Sequence, residues 1–264
     1  MSKSQDIDEI LKQWPFDPFS VNVRKLDLAE RNVLQMRVDM GLLQLEIEGR
    51  PDGKRPHGAK TYYAYLTKKA DQDSDAFLLN EDHCVEIDRE FVQYYHRRVC
   101  WLQLREFDRA VSDADHTLQL MDFCKQHSED EQWTISHEQY RPFVIYHRTQ
   151  AAALAAIEAD EEKGAENAIE QVNLGLEQMR ILFFEYEAED QFEEDELVQR
   201  LSEFRENLRE RYEVGDTLAE QLAKAIELED YESAASLRDQ MEKSNLKKAD
   251  SEIPEPDHES ESSD

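Results

Sequence analysis

Along most of this chain apolar residues recur three and four positions apart, the period of one face of an α-helix. Residues 5–14 form a short amphipathic stretch closed by Pro15 and Pro18, and Asp27 and Glu30 can cap the next helix. Between Val33 and Ile47 two stripes run together: Leu34, Val38, Leu42 and Leu45, and Met36, Met40, Leu43 and Ile47. That pattern predicts a helix buried on two flanks. The alternation from Met36 to Leu42 also fits a strand, so a β-hairpin in 36–66 around Pro51-Asp52-Gly53 is the alternative. A short helix follows at Thr61–Leu66, then a polar loop from Lys68 to Asp75. Long helices are predicted from Glu81 to Leu104 and from Phe107 to Met121, joined by a turn at Arg105-Glu106.

The second of these helices carries Phe107, Ala110, Val111, Ala114, Leu118 and Leu120. An aromatic opens it, small residues line one face and leucines close it, a pattern similar to the second helix of a tetratricopeptide repeat. A weaker copy lies at 146–180, with Ala151–Ile157, a turn at Glu161–Gly164, then Ala168, Val172, Gly175, Leu176 and Met179. An insertion at 122–142 containing Trp133 and Pro142 accounts for the wide spacing of the copies. Further on, eight acids and no base fall between Glu185 and Glu196, interleaved with Tyr186 and Phe192 and preceded by Phe183 and Phe184. Leu197, Leu201, Phe204, Leu208 and Tyr212 then form a helical seam.

The last amphipathic stretch, 218–243, contains two short segments that meet at Glu229-Asp230-Tyr231. The first puts Leu218, Leu222, Ala225 and Ile226 on one face. The second puts Ala234, Ala235, Leu237, Arg238 and Met241 on its inward side. Gly215 ends the preceding helix, and Thr217 with Glu220 supplies a capping box for the next. The spacing predicts a helical hairpin with small residues at the crossing. In the run Ala225-Ile226, Glu229-Asp230-Tyr231-Glu232, Ala234-Ala235 and Leu237-Arg238-Asp239, the stretch resembles the UVR motif. That motif ends bacterial nucleotide-excision-repair subunits B and C, and occurs in some Clp-type ATPases and in the activator of a bacterial protein-arginine kinase. The resemblance implies a docking device whose partner-binding residues are Leu222, Ala225, Ile226, Tyr231, Ala234, Ala235, Arg238 and Met241. The kinase activator's zinc-binding cysteine pairs are absent here, so its role does not carry over whole.

Composition narrows the class. With seven glycines and seven prolines in 264 residues, the body is expected to be helical. The formal net charge of −30 opposes direct binding to nucleic-acid phosphates. The absence of an ~18-residue apolar run and of a signal-peptide core predicts a cytoplasmic protein without membrane contact. Cys84, Cys100 and Cys124 read as buried thiols of a reducing compartment.

Catalytic patterns are weak. His83, Cys84, His96 and Cys100 are zinc-ligand types. Cys84 and Cys100, however, stand roughly 24 Å apart along one helix, at a rise of roughly 1.5 Å per residue. Asp113 and His116 read as a surface ion pair, and Asp39, Glu46 and Glu48 as a polar seam without an assigned task. The loop Gly49–Gly58 collects Arg50, Lys54, Arg55 and His57, with Lys60 following, in an otherwise acidic chain. It is a candidate anion-binding loop.

The expected fold is therefore all-α: a tetratricopeptide-like body over 1–182, an acidic linker and helix over 183–214, a UVR hairpin over 215–244 and a disordered acidic tail over 245–264. The expected function is a non-enzymatic adaptor with no cofactor and no metal, docking a protein partner or itself through the hairpin. An accessory factor of excision repair, and a small helical enzyme with a site near 49–58, are the alternatives.

Overall fold

The computed structural model describes residues 6–29, 31–73, 77–160 and 163–251. These residues form ten α-helices and one three-stranded sheet, so the chain is mostly helical as its apolar period predicts. It divides into two compact units, Met1–Asn207 and Leu208–Asp264.

The segment 33–47 departs from the helix expected there. A meander of β1 (Asn22–Asp27), β2 (Asn32–Val38) and β3 (Gly41–Glu46) is antiparallel throughout, with Leu34 opposite Lys25 and Leu45. Asp27 thus ends a strand instead of capping a helix, and Glu30 lies outside the described residues. The alternation from Met36 to Leu42 is the signal that prevails, and the hairpin turns at Asp39-Met40, not at Pro51-Asp52-Gly53. Arg37 ties that turn by donating from Nη1 to the carbonyls of Asp39 and Gly41, each at 2.9 Å. The two apolar stripes have a simple cause: Leu34 and Met36 of β2, and Leu45 and Leu43 opposite them on β3, all fall on one face of the pleated sheet. Leu34 and Leu45 join Trp101, Phe107 and Ala151 in one core cluster. On the other face Arg24, Gln35 and Gln44 form a polar ladder, and the Arg24 guanidinium lies 4.4 Å over the Trp14 ring beyond α1 (Asp8–Gln13).

The rest of the first unit is helical. α2 (Tyr62–Asp73) is longer than the sequence suggests, running through residues expected to loop. α3 (Glu81–Leu104) starts on a capping box at Asn80 and ends where Arg105 takes the left-handed conformation, as the expected turn requires. α4 (Phe107–His127) returns antiparallel to α3, since Leu79 N–H donates to His127 O at one end while Arg97 meets Asp113 nearer the other. α5 (Glu131–Glu138) occupies the expected insertion. α6 (Arg141–Ala159) and α7 (Gly164–Glu185) form a second antiparallel pair that closes tightly at Gly175, where a Cβ would collide with the Thr149 side chain. The two hairpins stand where the sequence places its repeat-like copies, but helical hairpins at those places do not make a tetratricopeptide repeat, and none is shown. In the acidic stretch a short 3₁₀ turn at Glu189–Glu194 buries Phe192 beneath Arg180 and against Phe183. α8 (Glu196–Tyr212) buries Val198 and Leu201.

Two charged groups buried in the body, Arg97 and Glu90, have all-round partners. The Arg97 guanidinium meets Asp113 with two hydrogen bonds of 2.8 and 2.7 Å, and also donates to the carbonyls of Gly49 and Glu46. Glu90, fully buried, accepts from the backbone N–H groups of Tyr62 and Tyr63 at the start of α2 and shares a 3.0 Å hydrogen bond with His116. Asp113 and His116 are therefore not a surface ion pair: each faces inward to a partner on α3. Of the three acids taken as a polar seam, Glu46 pairs with Arg31, Glu48 is exposed and pairs with Arg109, and Asp39 lies exposed at the turn.

Two outcomes are expected. Arg97→Met leaves the Asp113 carboxylate buried and unpaired, and should lower unfolding free energy by ~3–5 kcal/mol in urea titration. Adding Asp113→Leu should restore most of that loss. Separately, burial holds His83, His96 and His137 below the ordinary 6.5, and burial plus the neighbouring Arg98 takes His147 down to about 4. The unfolded chain binds these protons first, so stability is full above pH 6.5 and falls as pH drops towards 4. His147→Gln should remove on the order of 2–3 kcal/mol of that pH-dependent loss, read from urea midpoints across the window.

Candidate functional site

The second unit carries the hairpin. α9 (Leu218–Glu227) begins on the expected capping box: Thr217 Oγ1 accepts from Glu220 N–H, and the Glu220 carboxylate accepts from Thr217 N–H at 2.8 Å. Arg209 braces this start by pairing with Glu220 and donating to Gly215 O at 2.6 Å. At the other end Glu229 adopts φ 56°, and Asp230 N–H reaches back to Ala225 O at 2.8 Å, closing the helix. Asp230 then caps α10 (Tyr231–Ser251) by accepting from Ser233 N–H, and hydrogen bonds from Ser233 hold its carboxyl below the ordinary range. The helix continues to Ser251, so the segment 245–251, expected to be disordered, is helical, and 252–264 lies outside the described residues.

The predicted contact residues divide into two sets. Ala225 and Ala234 are buried at the crossing, with Leu218, Leu222, Leu237 and Met241 partly covered beside them. Ala235 and Arg238 point outward, so Ala235 is not one of the small residues that let the helices approach. The period explains the assignment: 234, 237 and 241 share a face by three-four spacing, and 235 is turned ~100° from 234. Ile226 and Tyr231 are exposed at 54% and 70%. Between them Leu228 is 78% exposed, a residue missing from the predicted set although an apolar side chain at a hairpin turn marks it. These three leave apolar surface uncovered at the turn of a hairpin whose buried residues at the crossing are Ala225 and Ala234.

The loop at 49–58 lies in the first unit. Its Pro51-Asp52-Gly53 turn forms as predicted, with Gly53 N–H donating to Arg50 O at 2.9 Å and Asp52 accepting from Lys54 N–H. Arg50 does not face solvent. It is 2% exposed, donates to Glu86 at 2.9 Å and lies within 3.6 Å of Asp52 and Glu90, so it fastens the loop instead of offering a free cation. His57 stacks on Tyr65 with ring centroids 4.0 Å apart. Lys54, Arg55 and Lys60 remain exposed, and with Arg31 they line a cavity of about 330 Å³.

The cysteines do not gather. Cys100 and Cys124 are buried and Cys84 half-buried, and burial raises the pKa of all three thiols, that of Cys100 to about 12. Among the described residues no helix is long and apolar enough to cross a membrane.

Residues 216–245 match the UVR family, described as the UvrB/uvrC motif. The match covers the hairpin seen here, and the chain therefore carries a UVR motif, a protein-interaction motif in UvrB and UvrC. No curated protein and no solved structure matches the chain.

The geometry separates two substitutions. Ala234→Leu places extra methylenes in the crossing and should destabilise the hairpin by ~1–3 kcal/mol. Ala235→Glu changes an exposed site and should stay within ~0.5 kcal/mol of the parent. Thermal melts followed by circular dichroism on a fragment beginning at Glu196 check the contrast.

Proposed function

We propose that this protein is a non-enzymatic adaptor that docks a protein partner through the tip of its C-terminal hairpin. One observation carries the reading: Ile226, Leu228 and Tyr231 are each exposed at the turn of a UVR motif. Two helices that bury only Ala225 and Ala234 at their crossing, and cover four larger apolar residues in part, gain little stability by themselves. Covering a leucine, an isoleucine and a tyrosine on a partner supplies the missing burial, with the Tyr231 hydroxyl free to find an acceptor. Helix packing of this kind gives affinity through a few apolar anchors and leaves polar neighbours for specificity.

The excision-repair machinery is the second reading, favoured by the identity of the motif. It differs from the first in the partner alone. The net charge of −30 favours a protein partner over direct contact with DNA in either case.

Capture with the full chain as bait, alongside the triple variant Ile226→Ser, Leu228→Ser and Tyr231→Ser, tests the reading. Partner affinity should fall at least tenfold in the variant, since three exposed anchors lost at roughly 0.5–1.5 kcal/mol each exceed the ~1.4 kcal/mol of one decade. Circular dichroism should be unchanged. Identical partners and affinities for both chains, and for a truncation after Tyr212, would make the hairpin only a structural cap. Excision-repair subunits among the captured proteins would select the second reading.

A further inference from the structure

We infer that the 49–60 loop of the first unit is a binding site for a phosphate-bearing small molecule. The first observation is a local excess of positive charge. Arg31, Arg50, Lys54, Arg55 and Lys60 line the 330 Å³ cavity with Glu46 and Glu48. Both acids are already engaged, Glu46 by Arg31 and Glu48 by Arg109 at 3.0 Å. Arg50 is committed inward to Glu86. Among the described residues the side chains of Lys54, Arg55 and Lys60 form no hydrogen bond or ion pair. Three cations thus face one cavity without a counter-charge, in a chain with 61 acids and 31 bases. An unbalanced cluster is the reverse of what this composition produces by chance, because a carboxylate is nearly always within reach.

The second observation is rigidity. The loop is held from beneath by two buried arginines. Arg97 donates to Gly49 O at 2.7 Å, and the Tyr94 hydroxyl donates to the same carbonyl at 3.3 Å. Arg50 N–H donates to Lys60 O at 3.0 Å, closing the loop across its base. Gly49 and Gly53 supply positive φ of 68° and 74°. Residues with a side chain are strained there. A loop that only connects β3 to α2 has no need of such anchorage. An anchored backbone keeps the three cationic residues at fixed positions and so lowers part of the entropic cost of gathering them on an anion.

The chemistry follows from the groups. A planar guanidinium and two ammoniums suit the tetrahedral oxygens of a phosphate, with Arg55 able to donate in a fork. The volume falls within the range of small-molecule sites. A second cavity, of about 600 Å³, shares Arg50, Lys54 and Arg55 and is walled by Pro56, His57 and Tyr62. Pro56 and the exposed His57, whose ring also stacks on Tyr65, give an organic group attached to the phosphate an edge to lie against. Asp82 and Glu86 on the same wall add acceptors for its hydroxyl or amino groups.

Calorimetric titration of the full chain with inorganic pyrophosphate tests the site, in parallel with Lys54→Gln/Arg55→Gln/Lys60→Gln. All three positions are exposed, and circular dichroism verifies that the variant is folded. The expected result is saturable binding at fixed ionic strength, weakened tenfold or more in the variant and part-restored by Arg55→Lys in the otherwise native chain relative to Arg55→Gln. Binding that sulfate at equal ionic strength reproduces, binding unchanged in the triple variant, or no binding would overturn the assignment. So would an acidic peptide that binds the loop more tightly than pyrophosphate, which would give the site to a protein partner.

Discussion

The bidentate contact between Arg97 and Asp113 is the interaction on which the first unit depends. It joins α3 to α4 at 2.8 and 2.7 Å, deep enough that both side chains are almost wholly shielded from water. An ion pair in such a place gains only if the remaining donors are also used. Arg97 uses them on Glu46 O and Gly49 O, so the same guanidinium that staples two helices fixes the end of the sheet and the start of the basic loop. Tyr94 lies 4.7 Å beneath it and stacks on His116 at 3.7 Å, and His116 in turn meets Glu90. Glu90 holds the first N–H groups of α2, where an anion is favoured by the helix dipole. A chain of polar contacts therefore runs from the sheet through α3 and α4 to α2, every member satisfied.

The hairpin is built on the opposite principle. Its local signals are complete: a capping box, an aspartate cap and a left-handed closing residue. What it lacks is buried area. The crossing admits close approach because Ala225 and Ala234 are small, and small residues bury little. Local geometry defines the shape, while the larger apolar residues stand uncovered at the turn. On the adaptor reading, the caps and the closing residue would meet part of the ordering cost before contact, and a partner would add the burial that the tip lacks.

This division between local and long-range causes also sets what the sequence makes legible. The capping box at Thr217, the turn at Glu229-Asp230, the break at Arg105 and the Pro51-Asp52-Gly53 turn involve neighbours in the chain, and each is readable there. The helical periods of α3, α4, α6 and α7 are likewise local. The sheet is not, because the same apolar positions fit a helix buried on two flanks and strands whose alternate residues share one covered face. Packing of that one face on Trp101 of α3 and Phe107 of α4 decides between them. Arg50 reads as a free loop cation until Glu86 and Glu90 are brought beside it from 36 and 40 positions away. Asp113 and His116 share a face of α4, but their partners lie on α3, so spacing gives the face without its environment.

Where the chain places its scarce positive charge gives the last link. Arg37, Arg50, Arg97 and Arg98 are all buried, in a protein that has two acids for every base. Three of them meet carboxylates or converging backbone carbonyls. Arg98 has neither: it donates to Thr117 Oγ1 at 3.1 Å and to His147 Nδ1 at 3.4 Å, and burial pulls its pKa down to about 10. A histidine nitrogen accepts only while it is unprotonated. Holding a guanidinium there thus requires a neutral imidazole, and the Arg98 charge is itself one of the two causes that depress His147. Protonation would set two buried cations side by side and remove the acceptor in one step. The pairing ties the α3–α6 contact to the neutral state of one histidine, and a carboxylate in its place would have made that contact indifferent to mild acid.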